Sequence, residues 1–271
     1  VPRISIVTIS YNQIDFLPLC VESIESQDYD DYEHIIVDPG SSDGSREWLA
    51  ANLNSKRRLV FEADSGPADG LNNGLAHCRG EIFIYLNADD ELPPGALQRI
   101  DELHRQNAVF DVIIGNGWTI DHLGNPVKHV ISDGFSPFRY ALSVGTVLQQ
   151  ATSFKRAALG TDLVFNVRNR VNWDTEFLFD AAASNLSFTN VPDCLGFFRL
   201  QENSITVSGR FASQLKAKRQ ELTKHHSGRA TYWVGQILSP ITRCYKRARS
   251  IRAGMTSKPS FPGLSRLQKD F

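Results

Sequence analysis

The feature that most constrains this chain is an alternation within its first 109 residues. Four short, β-branched apolar runs are each followed by a segment with helical spacing. Residues 4–9 (ISIVTI), 34–38 (HIIVD), 58–62 and 81–86 (EIFIYL) read as strands. Between and after them, Leu17, Val21 and Ile24, then Trp48, Leu49 and Leu53, then Leu71, Leu75 and Cys78, and finally Leu97, Ile100 and Leu103 fall at helical spacing. Asp43 or Ser45 is placed to cap the second helix, and Pro93 or Pro94 to open the fourth. A βαβαβαβα order predicts a mostly parallel α/β sheet flanked by helices. From about residue 110 the pattern loosens. FDVIIGN and GWTID read as two strands before a turn at Gly124–Pro126, residues 152–159 and 174–184 as helices, and 187–199 as strand.

Charge divides the chain in two. Residues 210–271 carry 14 Lys and Arg against Glu221 and Asp270, a balance of +12, whereas residues 1–209 carry a balance of −13. An acidic body argues against a nucleic-acid partner, because a duplex meets repulsion over most of the surface. The basic tail also holds Tyr232, Trp233, Val234, Ile237, Leu238, Ile241 and Tyr245, beside Arg243, Lys246, Arg247, Arg249 and Arg252. Aromatic and aliphatic groups among cations suit an anionic membrane surface, so residues 210–252 are read as a peripheral membrane contact. Pro240 is expected to interrupt any single long helix there. The four cysteines are far apart without a C-x-x-C, which points to a reducing compartment. No apolar run approaches 18 residues, and the N-terminus enters a strand pattern without a signal peptide. The expected location is the cytoplasm, at the inner face of the membrane.

In open parallel sheets, ligands bind beyond the carboxyl ends of the strands. The first strand ends at Thr8–Tyr11, the second at Asp38, the third at Glu62 and Asp64, and the fourth at Asn87-Ala88-Asp89-Asp90. At least four carboxylates are expected to converge there. A hard divalent cation, Mg2+ or Mn2+, sharing its shell with a diphosphate, relieves their repulsion.

The motifs ISIVTISYNQ, VDPGSSDGS, EADSGPADGLNNG, IYLNADDELPPGAL, LQQATSFKR, NWDTEFLFDAA and FFRLQENSIT occur in this order over residues 4–206. In that order they resemble the family 2 glycosyltransferases of GT-A (Rossmann-like) fold, inverting enzymes of bacterial polysaccharide assembly. The resemblance implies the following roles. Tyr11 stacks on the nucleotide base, Asp38 accepts a hydrogen bond from it, and Thr8 lines the same pocket. Asp64, Asp69 and Asn72 lie near base, ribose or donor sugar. Asp89 touches ribose or metal, Asp90 holds the metal, and Gln201 completes its shell. Asp174 is the general base. Asn87 stands where many relatives carry Asp, and Gln201 where they often carry His, so the metal set is lean. Arg199, or Arg168 and Arg170, are the available cations for the diphosphate, and Trp173 is the platform for an acceptor sugar. The implied reaction moves one sugar from a nucleotide-sugar, read as UDP-linked, to a hydroxyl of a growing, lipid-linked surface glycan. The implied domains are 1–207 for the transferase, in a nucleotide half (1–109) and an acceptor half (110–207), and 208–271 for a basic helical extension.

Other classes compete. A sugar-binding module without catalysis fits the lean metal set. Gly40-Ser41-Ser42-Asp43-Gly44 matches G-x-S-x-G between a strand and a helix, so a serine hydrolase using Ser42 is a further alternative. A nucleotidyltransferase needs a basic glycine-rich loop after strand one, and a dehydrogenase needs G-x-G-x-x-G; the chain has neither.

Overall fold

A computed structural model describes residues 1–142, 145–201 and 209–256. The expected alternation is realised as β1 (Ile4–Ile9), α1 (Leu17–Glu25), β2 (Tyr32–Val37), α2 (Ser45–Ala51), β3 (Arg57–Val60), α3 (Pro67–Ala76), β4 (Ile82–Asn87) and α4 (Ala96–Gln106). β1 pairs in parallel with β2 on one side and β4 on the other, and β2 pairs in parallel with β3. The chain therefore steps outward through β1, β2 and β3 and returns to place β4 beside β1. That reversal leaves a crevice between the ends of β1 and β4.

Strand alternation builds two cores. Ile4 and Ile6 of β1 face Ile24 of α1 and Leu97 and Ile100 of α4, while Val7 faces Ala68 and Leu71 of α3. Both faces of the parallel strands are covered, which is why their sequences are continuously apolar.

The second half departs from the sequence expectation in two places. β5 (Val112–Ile120) is one nine-residue strand rather than two. The glycines that seemed to divide it serve close packing: Gly117 lies against Gly196 and Leu148 with no room for a side chain. Residues 152–155, expected to be helical, form β7 (Thr152–Lys155), and only Arg156–Leu159 turn into helix α6. β7 runs antiparallel to both β4 and β5, with Phe154 opposite Phe83 and Val112. Burying Phe154 between these strands outweighs the helical spacing of four residues. β6 (Pro126–Val130) extends the sheet beyond β5, and β8 (Phe188–Arg199) runs parallel to β5 along its other edge. The order is β3-β2-β1-β4-β7-β5-β6, with β8 paired to β5.

α5 (Pro137–Ala141) and α7 (Trp173–Ala183) flank the sheet, and the C-terminal α8 (Ala212–Ser227) packs on both. α9 (Arg229–Thr256) continues as one helix through Pro240, against expectation. Pro240 and Gln236 one turn earlier are both exposed, so the carbonyl that loses its intrahelical partner meets water. Among the described residues, no helix is long and apolar enough to cross a membrane. The four cysteines are free thiols. Residues 202–206, which end the last motif, and residues 257–271 lie outside the described residues, as do the side chains of Arg243, Lys246, Arg247, Arg249 and Arg252.

Candidate active site

The crevice at the β1–β4 reversal opens into a cleft of about 810 Å³. Seven stretches of the chain supply most of its wall. Ile9–Tyr11 and Pro39–Gly40 come from the ends of β1 and β2, and Asp64–Pro67 from the turn into α3. Asn87–Asp89 follow β4, and Val147–Gln150, Trp173–Asp174 and Gln201 close the far side. The volume suits a ligand of drug size or somewhat larger, such as a nucleoside diphosphate sugar. Tyr11, 61% exposed, lines the cleft. The turn that follows Tyr11 is held in place: Ser41 Oγ accepts the Asn12 amide at 2.8 Å, and Asp43 accepts the Ile14 amide at 2.9 Å.

Among the described residues, three carboxylates reach the cleft. Asp64 accepts the Gly66 amide at 2.9 Å, and burial with Asp69 and Asp38 nearby raises its pKa above the usual carboxylate range. Asp89 is half-buried, and desolvation raises its pKa although Gln201 donates to its Oδ2 and Arg199 is near. Asp174 is the second residue of α7. Its Oδ1 accepts the Thr175 amide at 2.7 Å, yet desolvation still raises its pKa. The residue flanking α7 is Asn172, so Asp174 is not the N-cap, and its carboxylate faces the cleft beside Trp173.

The remaining sequence-derived site residues turn elsewhere, each for a definite reason. Thr8 alternates to the other face of the sheet, where its hydroxyl meets His34 Nε2 at 2.8 Å; burial lowers the pKa of that imidazole to about 3. Thr8 therefore does not line the cleft. Asp38 is fully buried and folds its own loop, accepting the Gly40 and Ser41 amides at 3.0 and 2.8 Å and the Ser41 hydroxyl at 2.6 Å. Asp69 accepts the Ser65 amide at 2.8 Å, behind the cleft wall. Asn72 clamps a distant loop, donating to the Phe165 carbonyl and accepting the Phe165 amide, both at 2.8 Å. Asp90 is fully buried: Oδ2 accepts the side-chain amides of Gln150 at 2.7 Å and Asn87 at 3.1 Å, and Oδ1 accepts the Arg199 backbone amide at 3.0 Å. Neither Asn72 nor Asp90 touches the cleft in this arrangement. The expected convergence of carboxylates is thus smaller than the sequence implied, because Asp38 and Asp90 are consumed in building the strand-end turns. Ser42 sits on an exposed loop, and among the described residues no histidine is hydrogen-bonded to it, against the hydrolase reading.

Arg199 is likewise internal. It donates to the carbonyls of Asp89, Asp121 and His122 at 2.9, 2.9 and 3.0 Å and pairs with Glu91. A backbone bridge between Glu91 and Phe197 brings β8 here, which sets Gln201 against Asp89. Arg170, by contrast, is exposed at the rim. Its guanidinium rests on Gly66, whose φ of 137° and missing side chain leave that space, and it lies near Asp64.

Residues 5–206 match the family-wide sequence profile of Glycosyl transferase family 2. The chain belongs to glycosyltransferase family 2. An uncharacterized glycosyltransferase of Mycobacterium tuberculosis is 28% identical over 195 residues, covering 67% of this chain and 69% of that protein. A PGL/p-HBAD biosynthesis glycosyltransferase of Mycobacterium bovis is 28% identical over 180 residues, 65% of this chain and 68% of that protein. A Nostoc glycosyltransferase, also uncharacterized, is 35% identical over 128 residues, but the match spans only 40% of its length, and a Rickettsia conorii relative is matched over 22%. Among solved structures, S. aureus TarS 1–349 in complex with UDP-GlcNAc superposes with a TM-score of 0.65 at 18% identity, over 83% of this chain and 66% of that one. The mannosyltransferase PcManGT of Pyrobaculum calidifontis, in complex with GDP-Man and Mn2+, gives 0.65 at 17%, over 98% and 79%. The fold is GT-A.

In this family 2 glycosyltransferase, no three His, Cys, Asp or Glu side chains among the described residues are grouped to hold a metal ion. Of the residues expected to hold a metal, Asp89 and Gln201 line the cleft and Asp90 does not. They fit a hard cation whose other ligands come from a diphosphate and water, because Asp89 is a desolvated carboxylate without a full counter-charge. Gln149 and Gln150, within the LQQATSFKR motif, are site residues that the sequence does not single out. Gln149 donates to the Tyr85 carbonyl at 2.6 Å, and both glutamines line the cleft. Their signal is two adjacent amides in the short turn just before β7.

Proposed function

We propose that residues 1–207 transfer one sugar, with inversion, from a nucleotide-sugar to an acceptor hydroxyl, and that Asp174 is the general base. The observation that carries this reading is a desolvated carboxylate on the first turn of α7, facing the same cleft as Tyr11, Asp64 and Asp89. The acceptor hydroxyl gives its proton to Asp174 as its oxygen bonds to the anomeric carbon; the bond from that carbon to the diphosphate oxygen breaks, and the nucleoside diphosphate leaves. Tyr11 stacks on the base, and Asp64 fixes the ribose side. Asp38 supports the base pocket through its loop. Trp173 packs on the acceptor sugar. Asp89 and Gln201 hold Mg2+ or Mn2+, which supplies positive charge to the departing diphosphate, and Arg170 adds charge from the rim. The donor is read as UDP-linked, by resemblance to this family.

A panel of nucleotides with Mn2+ tests the donor. A ligand at a hundred times its Kd stabilises the fold by about 2.7 kcal/mol, which raises Tm by several degrees. UDP is expected to produce that shift, with GDP and ADP well below it. Shifts equal for all three end the uridine reading. Measuring release of free sugar from the same donor separates an enzyme from a binding module.

The acceptor is read as lipid-linked, at the inner face of an anionic membrane. Supporting this, α9 leaves Trp233, Ile237, Ile241 and Tyr245 62%, 76%, 68% and 62% exposed along one helix face. The opposite face, with Tyr232 and Gly235, packs on the domain. The balance of +12 over residues 210–271 complements anionic headgroups, each Lys or Arg at the surface adding about 1 kcal/mol. Replacing Ile237 and Ile241 together by Asp is expected to lower partitioning onto phosphatidylglycerol vesicles more than tenfold. Unchanged partitioning of the double variant discards the membrane contact.

A further inference from the structure

One buried carboxylate near the cleft has no part in the chemistry above. Glu176 lies two residues beyond Asp174 on α7 and is buried. Its Oε1 accepts the Asn166 side-chain amide at 3.0 Å, and its Oε2 accepts that of Asn169 at 2.6 Å. Lys218 Nζ of α8 completes the shell at 3.2 Å from Oε1, and Lys218 also pairs with Glu221 at 2.9 Å. Three segments thus meet on one side chain: the loop 163–172, the helix α7 that follows it and carries Asp174, and, further along the chain, α8 of the basic extension.

The loop is fixed at its other end as well. Phe165 is stacked on Phe177, ring centroids 4.0 Å apart, and Asn72 holds its backbone. Both asparagines are locked in one orientation. Asn166 Oδ1 accepts the Arg168 amide at 3.0 Å, and Asn169 Oδ1 accepts the Val171 and Asn172 amides at 3.2 and 3.0 Å. Their NH2 groups therefore have to point at residue 176, which must offer two acceptors. Only a carboxylate does so and also balances Lys218. The loop so fixed delivers Arg170 to Gly66 on the donor side and leads through Asn172 directly into Trp173 and Asp174.

From this geometry we propose that Glu176 is a positioning residue for the transfer, and that α8 of the extension, through Lys218, is part of the frame that holds the base in place. The idea rests on the function proposed above only for its kinetic consequence. The basic extension is then a brace for the active site as well as a surface contact. Misplacement of a reacting group by about 1 Å costs on the order of a hundredfold in rate, so a loosened frame shows in turnover before it shows in affinity.

The test uses the full chain and the near-isosteric Glu176→Gln. Gln offers one acceptor and turns its own NH2 against an asparagine NH2, and it leaves Lys218 without its partner on α7. Turnover per folded molecule, at a temperature well below Tm, is expected to fall tenfold or more, with the nucleotide Kd within about threefold. Amide hydrogen exchange of residues 163–172 is expected to accelerate at least tenfold. Lys218→Met is expected to move both readouts in the same direction by a smaller factor. Wild-type turnover and exchange in Glu176→Gln overturn the proposal, as does a loss of activity that only follows the unfolded fraction. A parent protein without any sugar transfer or donor hydrolysis counts against the proposed function, and the exchange measurement still decides the role of Glu176.

Discussion

Asp174→Asn is expected to lower sugar transfer about a thousandfold and to leave nucleotide affinity within about a factor of two. The magnitude follows from the job assigned to the carboxylate, since a positioned general base contributes on the order of 10²–10⁴ in rate. Asn keeps the shape, and its side-chain oxygen still accepts the Thr175 amide, but it cannot take a proton. The fold is not at risk. Desolvation raises the folded-state pKa of Asp174, so the charged form is the costly one in the native protein. The favourable contribution of such a group is complete below its unfolded pKa and is lost as pH rises through the folded one. At neutral pH a neutral amide is therefore no less stable than the carboxylate. The same shift fixes the sign of the pH dependence. The parent loses transfer as pH falls through the raised pKa, so the acid limb of its rate profile lies above the ordinary carboxylate range, and the variant lacks that limb. A variant with parental turnover places the base on another residue.

How far the sequence reached depends on which interactions a residue type can announce. Period-2 and period-3.6 apolar spacing in residues 4–106 reports burial directly, so every parallel strand and its helix was legible. The ordered motifs likewise located Tyr11, Asp64, Asp89 and Asp174, all on the cleft wall. What sequence did not carry was side-chain direction. Thr8 is separated from the cleft by the pleat of β1 alone. Asp38 and Asp90 sit at strand ends like Asp64 and Asp89, but their carboxylates are occupied by amides from Ser41 and from Gln150, which lies 60 residues further along the chain. Phe154 became a strand residue because two distant strands needed a partner between them, and four residues cannot signal that on their own. Glu176 resembled any helix glutamate until Asn166, Asn169 and Lys218 were seen around it.

The adjacent aspartates offer the sharpest division of labour, and Asp90→Ala is expected to damage the fold where Asp89→Ala damages the reaction. Removing the Asp90 carboxylate strands three donors: the buried backbone N–H of Arg199 and, at the cleft wall, the side-chain amides of Gln150 and Asn87. Each unsatisfied buried donor costs about 1–3 kcal/mol, partly offset because the buried charge disappears with its desolvation penalty. A net loss of about 3 kcal/mol lowers Tm by roughly 6–12 °C in a domain of this size. Asp89 is half-exposed and loses only the Gln201 contact, so its alanine variant keeps a Tm within about 2 °C of the parent. It loses the carboxylate proposed to hold the cation, and is expected to lose with it at least a hundredfold in transfer and the response to added Mn2+. Thermal melts and donor turnover measured on both variants give four numbers. An Asp90→Ala protein that melts with the parent but transfers nothing has one reading only: the carboxylate leaves Gln150 and Asn87 when donor and cation enter, and both aspartates then serve the diphosphate.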